Sequence, residues 1–232
     1  MNFKPYKGKT DIFFDLDHTL WDFEKNSALA FEQVLTEMKL PFSIDDFLNY
    51  YVDINAEYWD KYSLNQVTQE ELRVGRIRDT FNHLNYSTSI EEILNVGDNY
   101  LTYLPNYNYL FDGAVDLLEY LQDKYRLHII TNGFDKVQHK KISNSGIEKF
   151  FLTVTNSENA GVKKPDPGIF NYALKSAHVP VERTVMIGDN LLADVEGAMN
   201  VGMDVIYYNE HSKKVSEDIV QVKQLVEIKN LL

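Results

Sequence analysis

Cysteine is absent from the chain, which excludes a disulfide framework and any thiolate metal site. Metal chemistry here would have to use oxygen or imidazole ligands. Positive charge is also scarce: 23 Lys and Arg stand against 35 Asp and Glu, a net charge of −12. Nucleic-acid polymers and anionic membranes are therefore poor partners, since both are polyanions. A small phosphorylated substrate in a locally positive pocket remains compatible. No apolar run approaches the roughly 20 residues that a membrane-spanning helix needs. The first residues, Met1 to Lys9, lack the apolar segment of a signal peptide, so a cytoplasmic protein is expected. Solenoid-period repeats and low-complexity tracts are missing as well.

What is present is ordinary in bulk. The 232 residues are 44% hydrophobic and 25% charged, average values for a globular chain and enough for one large domain or a domain with a sizeable insert. The unusual stretch is Asp11 to Leu20. It begins as a short apolar run, reads as a buried strand, and ends in Asp15 and Asp17. Unpaired carboxylates at that depth cost on the order of several kcal/mol, so a cation or a hydrogen-bond cage is required. An Asp-rich turn also commonly caps the next helix, and this stretch alone leaves both readings open.

Beyond Thr19 the pattern is helical for about eighty residues. Ala28, Phe31, Val34, Leu35 and Met38 recur at helical spacing, as do Phe47, Tyr50, Tyr51, Ile54, Tyr58 and Trp59. Thr68 with Glu71 and Ser89 with Glu92 have the spacing of capping boxes. From about Tyr107, strands and helices alternate: strands at 126–130, 151–155, 184–187 and 204–208, a short edge strand near Ile219 and Val220, and a closing helix. Asp112 and Asp166-Pro167 are expected to open two of the intervening helices. The expected fold is α/β: a Rossmann-like, doubly wound parallel sheet joined by right-handed crossovers, with an all-helical insert. The core is assigned to 1–20 and 106–232, and a four-helix cap to 21–105.

In such sheets ligands bind beyond the carboxyl ends of the strands. There lie Asp15 and Asp17, then Thr131, then Lys164, then Asp189 with Asp194. Three carboxylates gathered at one sheet edge repel one another unless a hard, oxygen-ligated cation such as Mg²⁺ sits among them. A hydroxyl and an ammonium suit the remaining oxygens of a phosphoryl group. Taken singly, each residue also has an ordinary structural role, Thr131 as a helix cap and Asp189 beside Gly188 as turn chemistry.

Asp15-Leu16-Asp17-His18-Thr19, Thr131 in Ile130-Thr131-Asn132-Gly133, Lys164 before Pro165, and Gly188-Asp189-Asn190 with Asp194 together resemble the four motifs of the haloacid dehalogenase-like hydrolases. The resemblance covers essentially the whole chain, and the insert is similar to that family's helical cap. Leu20-Trp21-Asp22-Phe23, Thr131-Asn132-Gly133-Phe134 and the segment Ser157 to Pro165 are similar to the nucleoside 5′-monophosphatase branch, although sugar-phosphate branches use related wording.

The resemblance implies a Mg²⁺-dependent phosphatase. Asp15 is then the nucleophile that forms an aspartyl-phosphate, and Asp17 the general acid and base. Asp15, the backbone carbonyl of Asp17, and Asp189 hold the metal. Thr131, the Asn132 N–H and Lys164 hold the phosphoryl oxygens, with Thr19 and Asp194 in support. Because family dehalogenases lack the second aspartate, Asp17 favours phosphoryl chemistry. Trp21, Phe23 and Arg76 are candidates for touching the leaving group; Arg73 and Arg78 lie on the same predicted helix as Arg76. The substrate expected is a small phosphorylated metabolite, a nucleotide in the first instance. Two other classes are weighed, a response-regulator-like phosphoacceptor domain and a retired, binding-only relative. The helical insert and Asp17 count against the first, and the intact motif residues against the second.

Overall fold

The structure, a computed structural model, describes residues 6–232. Residues 1–5, with which the assigned core and the signal-peptide reading begin, lie outside the described residues. The chain divides into two compact units, one reaching Asp22 and resuming at Tyr109–Leu232, the other Phe23–Asn108. None of the described helices is long and apolar enough to cross a membrane.

The inserted unit holds helices α1 (Phe23–Glu37), α2 (Ile44–Ser63), α3 (Gln69–His83) and α4 (Ile90–Tyr103). Their aromatic stripe is core. The Phe31 ring lies 4.0 Å from that of Tyr100, 4.4 Å from Tyr51 and 4.7 Å from Phe47, centroid to centroid, the range in which aromatic pairs add to simple burial. Tyr50, expected on this face, is exposed. Thr68 and Glu71 form the reciprocal capping box at the start of α3. Ser89 and Glu92 form only half of one: the Ser89 hydroxyl accepts the Glu92 N–H, but the Glu92 carboxylate accepts from the hydroxyls of Tyr86 and Thr88 instead.

The other unit is a six-stranded sheet, β1 (Asp11–Phe14), β2 (Arg126–Thr131), β3 (Phe151–Asn156), β4 (Thr184–Gly188), β5 (Asp204–Tyr208) and β6 (Gln221–Val222). Its order is β3-β2-β1-β4-β5-β6 with every pairing parallel. β1 is central and wholly buried, which accounts for the apolar run Ile12-Phe13-Phe14. Around the sheet run α5 (Ala114–Gln122), α6 (Asp135–Asn144), the single turn α7 (Ser157–Ala160), α8 (Pro167–Ala177), and a π-helical stretch Leu191–Glu196 that continues into α9 (Gly197–Asn200). Phe13, Ile130, Ile169, Phe170 and Met186 lie in one buried cluster against the sheet.

Three local expectations shift. α5 opens at Gly113, whose φ of +79° a residue with a Cβ would resist, rather than at Asp112. The edge strand falls two residues later, at Gln221–Val222. The closing segment Leu225–Asn230 is a 3₁₀ helix rather than an α-helix. Its buried Leu225 and Ile228 are three apart, the spacing that a three-residue turn stacks on one side.

Candidate active site

Strand register builds the site. Phe14 pairs with both Ile129 and Ile187, so Asp15, Thr131 and Asp189 emerge together at the carboxyl edge of the sheet. The Asp15 N–H still donates to the Ile187 carbonyl at 2.9 Å, fixing the residue as a continuation of β1. The chain then folds back: the N–H groups of Leu20 and Trp21 both donate to the Leu16 carbonyl at 2.9 Å, and His18 takes a left-handed φ of 60°.

Lys164 sits at the centre of this edge, almost fully buried. Its Nζ donates to Asp15 Oδ1 at 2.6 Å, to Asp194 Oδ1 at 2.6 Å and to the Ile130 carbonyl at 2.8 Å, which uses all three ammonium hydrogens. Asp194 Oδ2 accepts the Asn190 N–H at 3.0 Å, and Thr19 Oγ1 donates to Asp189 Oδ1 at 3.1 Å. Asp194 can approach because residue 188 is glycine; a Cβ there would lie 2.3 Å from its carboxylate.

Carboxylate oxygens of Asp15, Asp189 and Asp194 lie within 4.8 Å of one another. Burial pushes the Asp15 carboxyl well above the usual range, against the pull of Lys164. Burial, reinforced by the charge of Asp194, pushes Asp189 up to about 7. Burial works against the Lys164 ammonium, yet Asp15 and Asp194 outweigh it and hold the ammonium above its ordinary value. Three carboxylates against one ammonium leave negative charge uncompensated. Such an all-oxygen donor set suits a hard divalent cation such as Mg²⁺.

The Asp17 side chain lies outside this trio. Its Oδ1 accepts from Lys141 Nζ at 2.7 Å and its Oδ2 from Gln138 Nε2 at 2.8 Å, both on α6. Thr131 Oγ1 accepts from the same Gln138 nitrogen at 2.7 Å and from the Gly133 N–H at 3.1 Å. The Asn132 side chain grips the backbone of Lys164, joining the loop after β2 to the loop after β3. Sequence reasoning missed Gln138 and Lys141. The available signal was two polar residues three apart on the helix that follows Thr131, hence on one face.

The three leaving-group candidates, Trp21, Phe23 and Arg76, are all buried. Trp21 is completely buried, with Lys141 Nζ 4.2 Å from its ring centroid. Phe23 is the first residue of α1 and is buried. Arg76 is 2% exposed inside the helical unit, where Nη1 donates to Asn55 Oδ1 at 2.8 Å and the guanidinium lies over the rings of Tyr100 and Tyr51. Arg73 and Arg78 instead make exposed ion pairs with Asp98 and Asp79.

Residues 12–208 match the family model described as haloacid dehalogenase-like hydrolase. The chain is 33% identical over 202 residues to the pyrimidine 5′-nucleotidase PynA of Streptococcus pneumoniae, covering 86% of this chain and 84% of that one. It is 34% identical over 198 residues to the glyceraldehyde 3-phosphate phosphatase of Pyrococcus abyssi, covering 85% and 80%. Among solved structures, the HAD-hydrolase YfnB of Bacillus subtilis bound to magnesium superposes with a TM-score of 0.89 at 28% identity, over 97% of this chain and 99% of that one. Sheet order, strand-end residues and relatives agree: the chain belongs to the haloacid dehalogenase-like hydrolase family.

Proposed function

We propose that the protein is a Mg²⁺-dependent phosphatase that hydrolyses a small phosphate monoester, a nucleoside 5′-monophosphate, through an aspartyl-phosphate on Asp15. The observation that carries this reading is the separation of the two loop aspartates. Asp15 lies in the carboxylate trio against Lys164, while Asp17, two residues on, has its carboxyl outside the trio, among polar side chains of α6. This separation supports attack by Asp15 and proton transfer by Asp17.

Asp15 Oδ attacks phosphorus as the bond to the ester oxygen breaks, and Asp17 gives that oxygen its proton. In the second step Asp17 takes a proton from water, which attacks phosphorus and releases Asp15 and phosphate. Lys164 and the Thr131 hydroxyl hold the charge that gathers on the phosphoryl oxygens, joined by the Asn132 N–H. Asp15, Asp189 and the Asp17 carbonyl would hold Mg²⁺, and Asp194 anchors Lys164 beside them. When bound, the ion supplies the positive charge that lets Asp15 act as an anion and that polarises the phosphoryl group.

The nucleotide preference is supported by the likeness to PynA. The likeness to a glyceraldehyde 3-phosphate phosphatase supports a sugar-phosphate substrate as the second reading. A phosphate-release screen with Mg²⁺ across nucleoside monophosphates, sugar phosphates and small phosphorylated acids decides between them. Asp15→Asn should abolish release. Full residual activity in that variant would sink the phosphatase reading, whereas strong preference for a sugar phosphate would change only the substrate.

A further inference from the structure

The grip of α6 on Asp17 has no counterpart in the motif residues. Each carboxylate oxygen has its own donor, Lys141 Nζ on Oδ1 at 2.7 Å and Gln138 Nε2 on Oδ2 at 2.8 Å. Both donors are buried, so water competes weakly for Asp17 on that side. A carboxylate only accepts, so the Gln138 amide must present its nitrogen. That same nitrogen also donates to Thr131 Oγ1 at 2.7 Å, so one NH₂ group ties the acid loop to the phosphate-binding loop. The Thr131 oxygen, accepting from Gln138 and from the Gly133 N–H, keeps its own proton to give elsewhere. Residue 133 must be glycine for this, since a Cβ there would lie 2.4 Å from the Gln138 amide.

We propose that Gln138 and Lys141 are positioning residues that hold the Asp17 carboxyl, on its turn after β1, in the orientation from which it protonates the leaving oxygen. This rests on the reading of Asp17 as general acid. A carboxyl on a loop otherwise samples several rotamers, and small misplacements of a reacting group carry large rate penalties. Lys141 is itself fixed from a second side by the face of Trp21, which gives that buried ring a role in supporting the acid.

The test compares two leaving groups. An alkyl phosphate needs its departing oxygen protonated; p-nitrophenyl phosphate does not, because its phenolate is stable near neutral pH. kcat/KM reports events only up to formation of the phosphoenzyme, where the acid acts. Gln138→Met and Lys141→Met, each close to the native volume, should lower kcat/KM for the best alkyl monoester of the screen by about 10- to 100-fold. The loss for p-nitrophenyl phosphate should be at least about fivefold smaller, the same contrast that Asp17→Asn produces. Lys141→Arg, which keeps a donor and a charge, should recover part of the loss. Should Lys141→Met fail to fold, Gln138→Met and Lys141→Arg carry the comparison.

Equal losses on the two esters, or none on either, would overturn the positioning role while leaving the phosphatase reading intact. If the unaltered protein released phosphate from neither ester, the phosphatase reading would fall and this inference with it.

Discussion

Asn132 clasps Lys164 by its backbone: the Asn132 Oδ1 accepts the Lys164 N–H at 2.8 Å, and its Nδ2 donates to the Lys164 carbonyl at 2.9 Å. A side-chain amide thus copies a strand partner and sets where the loop after β3 passes, and so where the ammonium lands. Asn132→Ala removes both bonds. It should lower kcat/KM by about 10- to 100-fold through displacement of Lys164, and steady-state phosphate release measures it. An unchanged rate would mean that Lys164 is held by its Nζ contacts to Asp15, Asp194 and the Ile130 carbonyl alone.

Lys164→Met removes the only ammonium bonded to Asp15 and Asp194 among the described residues. The expected loss in kcat is about 10²- to 10³-fold, through loss of the positive charge beside the developing anion and of the anchor that holds Asp15. A loss confined to KM would contradict that assignment.

Metal and pH should be linked in the stability of the folded chain. Asp15 and Asp189 hold their protons above the ordinary range, Asp189 up to about 7, whereas the unfolded chain releases its own near pH ~4. In the metal-free protein the folded state therefore binds more protons, and its stability falls as pH rises from about 4 through about 7. Mg²⁺ replaces those protons. Thermal melts with Mg²⁺ and with a chelator should show a larger gain in Tm at pH 8 than at pH 5; equal gains would count against these carboxylates as the ligands.

At the opposite end of β1 the sign reverses. Burial pushes His128 below its ordinary value, although its Nε2 faces Asp11 Oδ1 at 3.0 Å and its Nδ1 faces Thr153 at 2.8 Å. The unfolded chain takes up this proton first, so the contribution is complete above pH ~6.5 and is lost as pH falls toward the lower folded value. Unfolding by urea should show this acid loss in the native protein, and a shallower loss in His128→Gln.

In the helical unit, Asn55 is the acceptor for buried Arg76 at 2.8 Å and for the Tyr51 hydroxyl at 3.3 Å. Asn55→Leu strips both donors of it and should cost about 2–3 kcal/mol. The double variant with Arg76→Met should regain part of that, because no charge is then stranded. Denaturant midpoints of the two proteins give the answer.

Much of the architecture was legible because strands buried on both faces carry continuous apolar runs, as in Ile12-Phe13-Phe14 and Val185-Met186-Ile187. The motif residues were legible for a related reason: carboxylates at the end of such a run are conspicuous. Gln138 and Lys141 were not, since a polar pair on a helix reads as solvated until its burial is known. Arg76 was hidden in the same way, being taken up inside the bundle by an amide rather than by an acid. Asn132 was assigned only a backbone role, because which side chain spans which loop depends on tertiary placement.

The two passages of chain into and out of the helical insert are already joined. The Asp22 N–H donates to the Tyr109 carbonyl at 3.1 Å, the Phe111 N–H donates to the Leu20 carbonyl at 3.0 Å, and Trp21 bridges Leu110 in antiparallel fashion. To the sheet, everything between them is the tip of one long hairpin whose stem is zipped within the catalytic unit. An insert leaving through such a stem can lengthen, shorten or be exchanged without disturbing β1 or its acidic loop. A chimera carrying another helical cassette at this stem should therefore keep β1 and the Lys164 contacts to Asp15 and Asp194 intact.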